Sequence, residues 1–238
     1  MILVFPQATQ KFNLFYRDIR LSLNGLDDYI SKISRTYKKG QIDGVMFIVL
    51  DTFVFKDELE RCFKNFFGNI PISFLTLRKE TQGSMCTLLM AINALKDLQV
   101  TISSLDQMIL DEPLELNFSS QDNVDVEVPI FNSNNDMFSY VLRDDDMQPI
   151  QVFEKRVVSR EAIMGIYKVK DFSEFFNQSI ELLEKYKGFR ERIFFISDVL
   201  NSYLRASKSV KFLETNAIHY HKFKSLYEFE DILKNEKN

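Results

Sequence analysis

The chain has 238 residues, a net charge of −4 and a pI near 5.4, so no broadly basic surface for nucleic acid is expected. Hydrophobic residues make up 45% and charged residues 27%, the composition of a globular chain and not a disordered one, and no apolar run is long enough to span a bilayer. There are only 7 glycines, where average usage would give roughly 17, and no two form a Gly-x-Gly; a Walker A loop and a dinucleotide fingerprint are therefore excluded.

Ile2-Leu-Val-Phe5, closed by Pro6, reads as a buried strand. Residues 27–37 place Tyr29, Ile30, Ile33 and Tyr37 at helical spacing. Val45-Met-Phe-Ile-Val-Leu50 is a second strand, residues 57–67 a helix with Gly68 as its stop, and residues 71–77 a third strand. Residues 84–98 predict one long helix with Leu88, Leu89, Ile92 and Leu95 on one face, and Val100-Thr-Ile102 a further buried strand. Strands buried on both faces and alternating with helices predict an α/β fold with a mainly parallel sheet.

After Pro113 the pattern changes. Val124-Asp-Val-Glu-Val128 alternates strictly, which predicts a half-buried strand. Phe138-Ser-Tyr-Val-Leu142 and Ile150-Gln-Val-Phe153 flank an Asp-rich turn at 143–149, the pattern of a hairpin. Residues 162–169 read as one strand, 171–186 and 193–206 as helices, 210–213 as a late strand, and 225–234 as a closing helix with Ser225 at its N-cap. The expected product is one domain with an inserted antiparallel region. The two cysteines, Cys62 and Cys86, read as reduced thiols, and residues 1–6 lack the basic start of a signal peptide, so a cytoplasmic location is expected.

Several residues stand where chemistry is plausible, each with a plainer reading beside it. Gln82-Gly83 opens the 84–98 helix; a glycine there lets a ligand approach the backbone and a Gln pairs with an amide-like edge, while the plainer reading is a turn. Asp106 follows a strand end, the edge where open α/β sheets collect ligands; one carboxylate holds Mg²⁺ beside phosphates, or simply caps a turn. Glu154-Lys155 ends a strand: a carboxylate for sugar hydroxyls and a point charge for phosphate, or a solvated strand end. Asp144-Asp-Asp146 reads as a solvated turn and not a metal triplet. His219 and His221 share one side of an extended segment, workable for a metal but with no third ligand nearby.

In order along the chain, Arg78-Lys-Glu-Thr-Gln-Gly-Ser-Met-Cys-Thr87 and the helix after it, Thr101-Ile-Ser-Ser-Leu-Asp-Gln107, Phe153-Glu-Lys155 with Ala162-Ile-Met-Gly-Ile-Tyr167, and Arg192-Ile-Phe-Phe-Ile-Ser-Asp-Val-Leu200 resemble the sugar-nucleotide pyrophosphorylases, nucleotidyltransferases of GT-A-like (Rossmann-like) fold. The resemblance covers nearly the whole chain. It implies a single domain over 1–238, with a mainly parallel mixed sheet and helices on both faces, a nucleotide-binding half at 1–112 and an acceptor half at 113–238. It implies that Gln7, Ala8, Gln82 and Gly83 meet the nucleotide, that Glu154 and Gly165 hold a phosphorylated sugar or related acceptor, and that Lys11 and Lys155 serve catalysis. Asp106 and His221 would hold Mg²⁺, or Mn²⁺ in its place. The reaction implied is attack of a sugar 1-phosphate on the α-phosphate of a nucleoside triphosphate with release of pyrophosphate, as in surface polysaccharide precursor synthesis. No nucleic acid and no membrane span are implied, and the oligomeric state is left open.

The departures from that family lie at three places. Phe5-Pro-Gln-Ala-Thr-Gln-Lys-Phe12 stands where the family has its Gly-x-Gly-x-Arg triphosphate loop, with Lys11 at the arginine's place. The family's Pro-Lys-Pro is missing, with Arg17 or Arg20 as substitutes. Tyr220-His-Lys-Phe-Lys-Ser225 stands for Trp-x-Asp-x-Gly-Thr and has no Asp; His221 is the expected replacement, although His suits a transition metal better than Mg²⁺. Two alternatives follow: a catalytically degenerate nucleotide- or partner-binding member of the fold, or a GT-A glycosyltransferase.

Overall fold

The computed structural model describes residues 1–20, 25–37, 40–109, 123–188, 191–215, 220–223 and 225–235. The first part of the chain runs β1 (Ile2–Pro6), α1 (Gln10–Arg20), α2 (Gly25–Ser34), β2 (Gly44–Leu50), α3 (Lys56–Phe67), β3 (Ile72–Leu77), α4 (Ser84–Leu89), α5 (Ile92–Leu95), β4 (Val100–Ile102) and β5 (Gln107–Ile109). The second part runs β6 (Val126–Asn132), β7 (Tyr140–Arg143), β8 (Pro149–Phe153), β9 (Glu161–Ile163), β10 (Tyr167–Val169), α6 (Phe172–Lys185), α7 (Ile196–Arg205), β11 (Val210–Glu214), β12 (Tyr220–Lys222) and α8 (Leu226–Asn235).

The main sheet has the order β3-β2-β1-β4-β10-β6-β9-β7-β8, with β11 beside β6. β3, β2, β1 and β4 are mutually parallel, β10 joins β4 antiparallel, and β6 pairs antiparallel with β10 and β9 but parallel with β11. This is the mixed α/β sheet that the sequence predicts. The crossover from β1 to β2 carries α1 and α2, as parallel pairing demands.

Alternation along the strands sends neighbouring side chains into two cores. Leu3 and Phe5 of β1 join Phe47 of β2, Tyr29 of α2, Phe63 of α3 and Phe229 of α8 on one face. Val4 joins Ile48, Leu88, Phe175 and Val199 of β2, α4, α6 and α7 on the other. Much of the chain's phenylalanine sits in the first core, where Phe47 stacks on Phe5 at 5.2 Å and on Phe74 at 5.2 Å and meets Phe63 edge-on at 4.9 Å.

Four details differ from the sequence reading. A helix not anticipated, α1, follows β1 almost at once; Phe12, Tyr16 and Ile19 are its buried stripe. The single helix expected at 84–98 is two short ones, because the N–H groups of Met90 and Ala91 turn to carbonyls three residues back, Thr87 and Leu88. The single strand expected at 162–169 is split into β9 and β10 by Gly165, whose φ of +73° no strand accommodates. The strand expected at 124–128 as half-buried is β6, covered on both faces, and its Glu127 sits 3.7 Å from Lys168 of β10. The helix stop at Gly68 and the N-cap at Ser225, which accepts from the Glu228 N–H at 3.2 Å, are as expected. The expected boundary at 112/113 and His219 lie outside the described residues.

Candidate functional site

A cavity of about 240 Å³ opens beside the C-terminal ends of β1 and β4, the edge at which open α/β sheets bind ligands. Pro6 comes from the end of β1, Ser103 and Ser104 from the end of β4, and Ser84 from the start of α4. Glu154 and Lys155 follow β8, Ser197 opens α7, and Tyr220 and Lys222 come from β12. Residues up to 216 positions apart in the chain thus line one cavity because the strand ends converge there.

The floor is a buried polar network. The Tyr37 hydroxyl donates to Ser103 Oγ, Gln107 Nε2 donates to the same oxygen at 2.8 Å, and the Tyr220 hydroxyl lies 2.9 Å from Gln107 Oε1 and beside the Met164 carbonyl. Burial pushes the Tyr37 and Tyr220 phenols above their ordinary pKa, so both stay neutral donors. Gly165 presses onto this network: a Cβ there would stand 2.9 Å from Gln107 Oε1.

On the opposite wall the Glu154 carboxylate accepts from Ser197 Oγ at 2.7 Å and from the Ser139 hydroxyl. Both bonds fall on the same oxygen, Oε2, which leaves the acceptor capacity of Oε1 unused by these serines in a residue that lines the cavity. Lys155 holds a left-handed backbone (φ +51°) and sets its ammonium 5.0 Å from the Phe195 ring centre.

Of the residues singled out in the sequence, Glu154, Lys155 and Gly165 line this cavity. Gln7 reaches it indirectly, donating from Nε2 to Ser104 Oγ at 3.0 Å. Gln82 and Gly83 sit at its edge next to Ser84, with the Phe194 N–H donating to the Gln82 carbonyl at 2.7 Å. The close approach to Gly83 is made by the chain itself: a Cβ would stand 2.3 Å from the Phe194 carbonyl oxygen. Ala8 is buried in the core with Leu50 and Leu77, and Lys11 is exposed on α1. Arg17 pairs with Asp18, and Arg20 pairs with Glu58 at 2.7 Å, so both are engaged at the far end of that helix.

The segment at 6–12 is not an open loop. The Gln7 N–H donates to the Ile48 carbonyl at 2.8 Å and the Thr9 N–H to the Gln7 carbonyl at 2.8 Å. Thr9 Oγ1 accepts from the Phe12 N–H at 3.1 Å, and the Gln10 N–H donates to the Glu80 carboxylate at 2.6 Å. Phe12 is buried against Tyr16 and Phe53.

Asp106 and His221 each carry a buried side-chain atom, Oδ1 and Nε2 respectively. Asp106 Oδ1 is buried without a hydrogen-bond partner, an atom suited to a cation that takes its other ligands from phosphate and water. In the β5–β12 ladder, Lys222 pairs with Gln107 and His221 with Met108. Alternation therefore puts Lys222 on the cavity face with Gln107 and Tyr220, and His221 on the opposite face with Met108, which is buried in the aromatic core. His221, expected from the sequence as a metal ligand, is not among the residues lining this cavity, whereas Lys222 is, a position that two-residue periodicity from Tyr220 reaches. Among the described residues no group of three or more His, Cys, Asp and Glu is placed to share a metal ion.

No family model and no curated protein sequence matches the chain. Solved structures do. The nucleoside-diphosphate-sugar pyrophosphorylase from Vibrio cholerae RC9 superposes with a TM-score of 0.75 at 18% identity, covering 98% of this chain and 100% of that one. The inositol-1-phosphate CTP transferase from T. maritima gives 0.71 at 12%, covering 100% and 96%. A UDP-glucose pyrophosphorylase complexed with UDP-glucose gives 0.73 at 13%, covering 100% and 99%. The chain has the fold of these proteins over essentially its full length.

Proposed function

We propose that the protein is a nucleotidyltransferase-like protein whose cavity takes a phosphorylated sugar or related acceptor. The observation that carries this reading is the convergence of Glu154, Lys155 and Gly165 on one cavity at the strand ends of the shared fold. Glu154 Oε1 accepts a hydroxyl, and the Lys155 ammonium faces a phosphate; no covalent nucleophile is required, only alignment and charge neutralisation. In the proposed reaction an oxygen of the acceptor phosphate attacks the α-phosphorus of a nucleoside triphosphate. A new P–O bond forms, the bond to the β-phosphate oxygen breaks, and pyrophosphate leaves. Gln82 and Gly83 are the proposed contacts for the base, with Gln7, Ala8 and Lys11 beside the triphosphate. Asp106 would hold Mg²⁺ or Mn²⁺ through Oδ1, and that ion would supply charge neutralisation at the phosphates. A role in polysaccharide precursor synthesis and a cytoplasmic location belong to the same proposal.

A second reading is favoured by the closed 6–12 segment. The N–H groups of Gln7, Thr9, Gln10 and Phe12 all donate within the chain, so a triphosphate would have to displace them. On that reading the protein binds a phosphorylated ligand without nucleotidyl transfer. Pyrophosphate release from each of the four common nucleoside triphosphates with a set of sugar 1-phosphates separates the two. Release with any pair supports transfer, and binding without release in every pair supports the second reading.

A further inference from the structure

Two lysines face the same cavity from different walls. Lys155 follows β8, and Lys222 ends β12. Neither ammonium enters an ion pair with a described residue; Lys155 rests on the Phe195 ring, and Lys222 is half-buried with its partner in the ladder, Gln107, committed to Ser103 and Tyr220. Glu154 is the one carboxylate among the described residues lining the cavity, and two serine hydroxyls already hold its Oε2. The sum over these three side chains is +1, built around an empty space large enough for a sugar phosphate.

Lys222 is half-buried and Lys155 exposed, and two ammonium groups lining one cavity without counter-ions repel each other unless an anion joins them. A phosphate monoester carries about −1.5 to −2 at pH 7, which matches two lysines. The strand position that faces the cavity is therefore held by a cation, where a carboxylate would need a divalent ion as intermediary to reach the same phosphate. We infer that Lys222 and Lys155 form a two-lysine clamp for the phosphate of the ligand, and that this ligand binds without a divalent ion. The inference rests on the reading that the cavity takes a phosphorylated ligand, and it goes further by naming the group that neutralises it. It concerns this phosphate alone; Asp106 lies outside the cavity lining.

The experiment is calorimetric titration of the full chain with α-D-glucose 1-phosphate, in buffer with EDTA and in buffer with Mg²⁺. Binding in EDTA within about threefold of that in Mg²⁺ is expected. Lys222→Met keeps the apolar stem and removes the charge; it is expected to weaken binding at least tenfold in EDTA and to flatten its salt dependence, while Lys222→Arg retains most of the affinity. Lys222→Asp is expected to make binding depend on Mg²⁺. A thermal unfolding curve on each variant shows that it is folded. Binding by the wild-type chain only with Mg²⁺, or an unchanged Lys222→Met, overturns the clamp and leaves the phosphorylated ligand standing. No binding of any sugar phosphate by the wild-type chain in either buffer overturns the functional reading and the clamp with it.

Discussion

Gly165 and Gln107 are in contact so close that a single methyl group would part them: a Cβ on Gly165 would lie 2.9 Å from Gln107 Oε1. The amide cannot swing away freely, because Nε2 is tied to Ser103 and Oε1 to Tyr220. The glycine also holds φ at +73°. Gly165→Ala is therefore expected to destabilise the fold by about 1–3 kcal/mol through backbone strain, and to weaken ligand binding by moving the network. Urea unfolding with a paired binding titration checks it; an alanine variant as stable as wild type would show that Gln107 has another place to go.

The same substitution at Gly83 is expected to do more harm. There the obstacle is backbone, with the Phe194 carbonyl 2.3 Å from the added carbon, and φ is +109°. Either α4 or the 193–194 segment has to move, and the bond from Phe194 N–H to the Gln82 carbonyl goes with it. A loss of about 3 kcal/mol or more in urea unfolding is expected for Gly83→Ala.

Glu154 supports fold and site together. Ser197 is buried and donates to it, as does Ser139. Glu154→Ala leaves both hydroxyls without this acceptor and is expected to cost about 1–3 kcal/mol. Glu154→Gln keeps an acceptor oxygen and is expected to cost less while still weakening binding of a sugar phosphate. Equal stability loss in the two variants would mean that the serines find other partners.

Alkaline pH is expected to unfold the protein early. Burial pushes the Cys62 thiol from 9.0 up to about 12, with the Asp27 carboxylate adding to the effect. Burial likewise raises the phenols of Tyr16, Tyr29, Tyr37, Tyr167, Tyr203 and Tyr220 above 10.0. Each folded-state pKa is raised, so the native state keeps protons that the unfolded chain gives up. The stability from these groups is complete below about pH 9 and drains away as pH climbs through 9 and then 10. Burial raises the Cys86 thiol too, while Lys168 runs the other way, since burial lowers its pKa, but it is one group against eight thiols and phenols. Urea midpoints between pH 8 and 11 should fall with pH, and Cys62→Ala should flatten the first part of the decline.

Asp106→Asn should abolish any Mg²⁺-dependent rise in melting temperature with a nucleoside triphosphate, because the amide removes the negative charge of the carboxylate whose buried Oδ1 has no hydrogen-bond partner. A response unchanged from wild type would remove Asp106 from the metal site.

The parallel half of the sheet was legible because strands covered on both faces read as unbroken apolar runs such as Val45–Leu50. Glu154, Lys155 and Gly165 were legible as a set through the order of motifs. The helix α1 was not: its stripe of Phe12, Tyr16 and Ile19 lies in the sequence, but Phe12 was read as the end of a loop over 5–12 and Tyr16 and Ile19 were assigned to no element. β5 was too short, at three residues, for any pattern to show. The role of Lys222 depends on which ladder partner it faces, and that pairing joins residues 115 apart.

The β5–β12 ladder gives this part of the molecule a parity. Because side chains alternate, an insertion or deletion of one residue between β11 and β12 that slid the register by a single step would exchange Lys222 for a neighbour and rewrite the charge of the cavity, while a step of two would preserve the alternation. The charge of the wall thus depends on the register of this three-residue ladder as well as on which residues the strand carries.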